Sequence, residues 1–120
     1  MAERRAMGAL ESTVLACLWR AGSPLTPGEV TNAIEDPPAY TTVMTILTRL
    51  WQKGLVSREA RGRAFAYQPL VTEAELAARR MRATLSATSD RQDALSHFVG
   101  ALSKREERTL RRILDELGPQ

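Results

Sequence analysis

At 120 residues, 43% hydrophobic and 26% charged, the chain has the composition of one ordinary folded domain or of a domain with an appendage, which argues against disorder. Its longest apolar runs are broken by Glu11, Arg20 or Arg49, and the opening MAERRAMGALE holds no continuous apolar stretch; neither a signal peptide nor a membrane span is expected, which places the protein in the cytoplasm. One cysteine, Cys17, and one histidine, His97, allow no internal disulfide and no Cys/His zinc set, so no metal and no cofactor is expected and Cys17 is assigned to the core.

The first element is a helix. Leu10, Val14, Cys17, Leu18 and Ala21 fall at helical spacing and the pattern stops near Gly22. After the loop GSPL, Thr26-Pro27-Gly28-Glu29 combines a capping box with proline at the first helical position, which predicts a short second helix burying Val30, Ala33 and Ile34. Asp36-Pro37-Pro38 ends it. A third helix opens near Tyr40, with Val43, Ile46, Leu47 and Leu50 on its inward stripe and Gly54 as the residue after its C-cap.

The outer face of that third helix is unusual. It displays Thr41, Thr45, Thr48 and Gln52, flanked by Met44 and Arg49, where a helix that only had to be soluble would carry Glu and Lys. A threonine is short enough to let a backbone approach closely, its hydroxyl can donate to phosphates or base edges, and its methyl can meet the methyl of thymine.

The segment LVSREARGRAFAYQPL then alternates as a β-hairpin, with Phe65 and Tyr67 on one face and Arg61-Gly62-Arg63 at the tip. Charge gathers in the same region. Residues 41–63 carry Arg49, Lys53, Arg58, Arg61 and Arg63 against Glu59 alone, a local balance of +4 in a chain whose net charge is +3. Three helices followed by a two-stranded hairpin is the order of a winged helix-turn-helix, whose third helix enters the DNA major groove while the hairpin serves as the wing.

From Val71 the character changes. Thr72-Glu73-Ala74-Glu75 is a second capping box opening a helix rich in Ala, Arg and Met; another helix begins near Asp90, with Ala94, Leu95, Phe98, Val99 and Leu102 inward. Ser103-Lys104-Arg105-Glu106 caps a last helix that aligns Leu110, Ile113, Leu114 and Leu117. Some 50 residues in three amphipathic helices are too few to cover a core, so they require a partner surface: either their own winged domain, if they fold back on it, or, as the favoured reading, a second copy of the same region, which gives a two-fold dimer able to read a palindromic site. The fold class is therefore mainly α, a winged helix-turn-helix over 1–70 and a three-helix dimerisation region over 71–120.

The residues at this point carry a family resemblance. Thr42, Val43, Thr45, Ile46, Leu47, Arg49, Leu50, Lys53 and Gly54, with the wing ending RAFAYQPL, resemble the recognition segment of the penicillinase-repressor (BlaI/MecI) family. LESTVLACLW, closed by Trp19, and HFVGALSKREERTLRRILDEL are similar to further family segments, so the likeness spans nearly the whole chain. It implies a homodimeric bacterial transcriptional repressor on an inverted-repeat operator of double-stranded DNA. A membrane metallopeptidase receptor acts upstream in the family's β-lactam systems, and the repressor is cut in its dimerisation region. The matching place here is His97-Phe98-Val99, where histidine stands in the position of the family's asparagine. The copper-responsive branch has a Cys-x-Cys tail; this chain ends DELGPQ, and metal sensing of that kind is not expected.

The expected roles follow. Thr42, Thr45 and Arg49 are the main groove contacts, Thr41, Met44 and Thr48 stand next to them, and Lys53, Arg61 and Arg63 hold phosphates. The dimer interface is assigned to Leu76, Met81, Leu95, Phe98, Val99, Leu102, Leu110, Ile113, Leu114 and Leu117, with His97 and Phe98 as the candidate cleavage position. No catalytic residue is expected. Ser96 and His97 are adjacent on a helix and point about 100° apart, and no phosphate loop or carboxylate pair with catalytic context is present. The rival reading is a winged-helix module that binds a protein through the same face, which salt dependence separates from DNA binding.

Overall fold

The computed structural model describes residues 7–119, and the part of the N-terminal reading that rests on residues 1–6 lies outside them. The elements run α1 (Met7–Ala21), α2 (Pro27–Ala33), α3 (Tyr40–Gln52), β1 (Val56–Arg61), β2 (Ala64–Pro69), α4 (Glu73–Ser86), α5 (Arg91–Gly100) and α6 (Lys104–Leu117). The expected class holds: helices dominate, and the two strands form one antiparallel hairpin with Val56 opposite Pro69 and Arg61 opposite Ala64.

In the first unit α1, α2 and α3 pack on one another and on the hairpin, with Leu15, Leu18, Val30, Val43, Ile46, Leu47 and Leu50 at its centre. Each helix is specified locally. Thr26 and Glu29 close a reciprocal capping box on α2, with Pro27 opening the first turn. At the end of α3 the Gly54 N–H donates to the Trp51 carbonyl and the Leu55 N–H to that of Leu50, both at 3.0 Å. Gly54 has φ +76° and an added Cβ would meet nothing within 4 Å, so glycine is required there for its backbone angle and not for space.

Leu25 supplies a contact that the loop reading of GSPL overlooked. Its N–H and carbonyl exchange hydrogen bonds of 2.9 and 2.7 Å with Tyr67, which fastens the hairpin to the segment before α2. The hairpin base is closed by the Leu70 N–H on the Leu55 carbonyl, and the Trp19 indole donates to the Val71 carbonyl at 2.9 Å.

Several burial expectations change. Ala21 is exposed as the last residue of α1, and Ala33 is exposed because the backbone turns extended at Ile34, which takes the core position beside it. Phe65 is exposed although Tyr67 on the same face is buried, since the hairpin runs out past the core toward its tip. Leu76, expected at a dimer interface, is instead buried with Val71 in the core of the winged unit. The division between the two units accordingly falls inside α4, between Ala77 and Ala78, and not at residue 70.

The second unit, from Ala78, holds the rest of α4 together with α5 and α6. Asp90 caps α5 through the Asp93 N–H, and Ser103 and Glu106 form the expected capping box on α6. None of its described residues is buried. Met81, Leu95, Phe98, Val99, Ile113, Leu114 and Leu117 stand exposed, so the stripes of α5 and α6 expected to face inward find no core within their own unit.

Candidate nucleic-acid interface

The inward stripe of α3 fixes its orientation, because burying Val43, Ile46, Leu47 and Leu50 turns the opposite side to solvent. That side gathers Thr41, Met44, Thr45, Thr48, Arg49 and Gln52 along one shallow concavity. Thr42, expected among the main contacts, is half-buried at its edge.

The threonines carry a correction. The Thr45 hydroxyl donates to the Thr41 carbonyl at 3.0 Å and that of Thr48 to Met44 at 2.9 Å. Their protons are thus used inside the helix, which is how a threonine is accommodated there. What remains for a ligand is an oxygen able to accept from a base amine, and a methyl group. Around them the face offers apolar contact through Met44, planar donors through Arg49, and a carboxamide through Gln52. Among the described residues Arg49 has no ion-pair or hydrogen-bond partner for its guanidinium, which leaves the full fork available.

The remaining cations divide into two groups. Lys53, expected on a phosphate, places its ammonium 2.8 Å from both oxygens of the Glu11 carboxylate. Glu11 is nearly buried, its side chain 10% exposed against 54% for Lys53, so the pair pins the end of α3 to α1. Arg61, also expected on a phosphate, reaches back to the Glu29 carboxylate at 3.1 Å and to the Pro24 carbonyl at 3.3 Å. The Thr26 backbone N–H donating to Glu29 holds that carboxyl below its usual range, the Thr26 hydroxyl adds to this, and the Arg61 charge acts in the same direction.

Arg63 is left at the tip, in the two-residue loop Gly62-Arg63, with no ion-pair partner among the described residues. Gly62 has φ +62°, as the first position of such a loop requires. The third unpaired cation is Arg58, which the sequence reading counted as charge without giving it a role. Its guanidinium lies 3.6 Å from the centre of the Trp51 ring and 4.1 Å from that of Phe65. The hairpin register could have placed Arg58 beside Phe65, since Arg58 pairs with Tyr67 and Ala60 with Phe65. No sequence signal brought Trp51 to them.

Among the described residues no group of three or more His, Cys, Asp or Glu side chains could hold a metal, and no helix is long and apolar enough to cross a membrane. Burial pushes the Cys17 thiol up, against a smaller opposing effect of Arg20, as suits a cysteine packed in the core.

Comparison with known proteins agrees with this frame. A family model described as penicillinase repressor matches residues 7–116. The transcriptional regulator BlaI of Mycobacterium tuberculosis, from strains CDC 1551 / Oshkosh and H37Rv alike, is 40% identical over 122 aligned residues, covering 98% of this chain and 88% of the relative. Among solved structures, the DNA-binding domain of the repressor BlaI in solution matches with a TM-score of 0.50 at 26% identity, covering 62% of this chain and 93% of that domain.

Proposed function

The chain belongs to the penicillinase repressor family, whose members are transcriptional regulators and not enzymes, and as a DNA-binding repressor of that family we propose that it acts as a homodimer on an inverted-repeat operator. In this reading α3 enters the major groove and the hairpin lies along the backbone. The observation that carries it is the outer face of α3, where Met44, Thr45, Thr48 and the unpaired Arg49 stand open beside the hairpin that holds Arg63.

Each part of the face has a share in recognition. Arg49 donates its fork to a guanine edge, and Met44 with the threonine methyls contacts thymine methyls. Thr41, in the first turn of α3, holds the backbone close to a phosphate, and Thr42, whose N–H already donates to the Ala39 carbonyl, lies at the edge of the face with only its side chain to offer. Arg63 takes a phosphate from the wing tip. Lys53 acts by keeping α3 seated on α1 and not as a free phosphate ligand.

The dimer reading rests on the second unit. A cleft of about 580 Å³ is lined by Met81, Leu85, Leu95 and Phe98, and Phe98 continues into a second apolar groove with Leu102, Leu110 and Ile113. Apolar surface of this extent on helices with no core of their own calls for a partner, and a second copy supplies the same surface by two-fold symmetry. Val99, Leu114 and Leu117 extend the exposed apolar set, while Leu76 leaves it. Cleavage at His97-Phe98 by an upstream membrane metallopeptidase would require the last turns of α5 to unwind, and it would divide the dimer face itself.

The test is a fluorescence-anisotropy titration against promoter DNA at two salt concentrations, with scrambled duplex as competitor, alongside light scattering of the free protein. The expected result is competitor-resistant binding that weakens with a log–log slope of about −0.9 for each phosphate neutralised, by a protein of twice the chain mass. In the same assay Arg49→Ala should cost about 1–3 kcal/mol on the operator and much less on random duplex. Salt-insensitive binding would move the threonine face to a protein partner.

A further inference from the structure

We propose that Arg58, held by Trp51 and Phe65, is a preset phosphate-binding residue at the seam between α3 and the wing, taking a phosphodiester of duplex DNA; the proposal rests on the DNA-binding reading above. Strand register and burial place it there. Val56, Arg58 and Ala60 share a hairpin face with Phe65 and Tyr67, and at the inner end of that face Val56 and Tyr67 are buried in the core. At the outer end Phe65 is 42% exposed, Arg58 is half-buried, and Trp51 from the last turn of α3 meets the guanidinium while remaining 40% exposed.

Aromatic rings engage a guanidinium through its π face, which leaves the rim of N–H donors free for an anion. Here that rim makes no hydrogen bond or ion pair with any described residue. The two neighbouring cations behave differently, since Lys53 is satisfied by Glu11 and Arg61 by Glu29. Arg58 is the cation that the fold immobilises without neutralising. A side chain already fixed loses little rotamer freedom on binding, and a planar fork fits phosphate with two parallel hydrogen bonds. Its position also suits the task. Trp51 directly precedes Gln52 of the recognition face, and Arg58 lies in the strand that leads to Gly62 and Arg63, so the seam falls between the groove-reading helix and the backbone-reading wing.

The experiment titrates the full-length protein by anisotropy over a potassium chloride series, against the operator and a scrambled duplex. Arg58→Ala should make the log–log salt slope shallower by about 1. Its loss of affinity should be the same factor on both duplexes, because a phosphate contact carries no sequence information. Arg58→Lys keeps the charge but loses the fork, so its slope should match wild type while affinity falls several-fold; Phe65→Leu should behave the same way. Should Arg58→Ala fail to give a folded protein in a thermal melt, these two variants carry the test. Wild-type slope and affinity in Arg58→Ala on both duplexes would overturn the proposal, as would a loss confined to the operator with an unchanged slope. A wild-type protein that binds neither duplex refutes the DNA-binding reading itself, an outcome distinct from either.

Discussion

The winged unit and the C-terminal helices use the same local grammar and reach opposite ends. Both start helices with a reciprocal capping box, Thr26 with Glu29 in one and Ser103 with Glu106 in the other, and both line leucines along one stripe. In the winged unit that stripe closes on residues distant in sequence, so that Leu15, Leu18, Ile46, Leu47 and Leu50 are all inaccessible. From Ala78 onward none of the described residues is buried. Caps and period specify a helix; whether its apolar face is satisfied depends on what the chain can bring to it. The first unit closes on a core of its own, whereas the second leaves its apolar stripes exposed.

One substitution made in both units tests this contrast most severely. Leu47→Asp places an unpaired carboxylate in the winged core, and a cost of about 4–5 kcal/mol is expected, enough to leave the protein unfolded in a denaturant titration. Leu114→Asp, at a side chain 57% exposed, should leave the winged unit's melting within about 0.5 kcal/mol of wild type. Its effect should appear in association instead. Two leucines lose their burial at about 1.5 kcal/mol each, and light scattering at micromolar concentration should report a monomer. An unfolded Leu114→Asp would show that α6 completes a core within its own chain.

The next effect in size concerns the Glu11–Lys53 pair, which belongs wholly to the first unit. Lys53→Met leaves the nearly buried Glu11 carboxylate without its partner, and about 1–2 kcal/mol of stability should be lost, a figure kept low because the lysine side chain is 54% exposed and screened by solvent. Glu11→Gln made together with Lys53→Met should recover most of that loss, since no unpaired charge remains. DNA affinity measured where both proteins are folded should change little, and a drop on the scale of Arg49→Ala would return Lys53 to the contact surface.

Much of this was legible in the sequence, for identifiable reasons. The three capping boxes, the inward stripe of α3, the Gly54 stop and the hairpin all rest on short-range rules, and each is in its expected place. What escaped depends on partners far apart in sequence. Lys53 and Glu11 are 42 positions apart and Arg61 and Glu29 are 32 apart, so nothing local distinguished these neutralised cations from the free Arg49 and Arg63. Leu76 has the right character for an interface helix, and only its contact with the winged core reassigns it. The hydroxyls of Thr45 and Thr48 could donate to DNA or to the i−4 carbonyl, and in the fold the backbone takes the proton.

Cation pairing also separates two wing residues that are chemically alike. Arg63→Ala should make the salt slope of DNA binding shallower by about 1, whereas Arg61→Ala should leave it close to wild type because Glu29 already neutralises that charge. Equal slopes in the two variants would mean that the Arg61–Glu29 pair opens on DNA.

The twin capping boxes supply the finest comparison, with an effect small enough to need paired melts. In Glu106 the Ser103 backbone N–H, followed by the Ser103 hydroxyl, holds the carboxyl below its usual range; in Glu29 the Thr26 groups do the same, helped by Arg61. A carboxyl whose pKa is lower in the folded state stabilises above its unfolded value, and that contribution disappears as pH falls through the folded value. The gap between wild type and Glu106→Gln, or Glu29→Gln, should therefore be widest near neutrality and close on acidification below the ordinary carboxylate range. The two gaps should register in different places. Glu29→Gln acts on a unit with its own core and should shift a melting temperature that does not depend on concentration. Glu106→Gln acts on a helix whose apolar stripe is exposed within its own chain, and if a second copy covers it, the melting temperature that it shifts should itself fall as the protein is diluted. A melting temperature of α6 independent of concentration would mean that it is stable before it meets a partner, and the contrast between the two units would then be one of exposure alone.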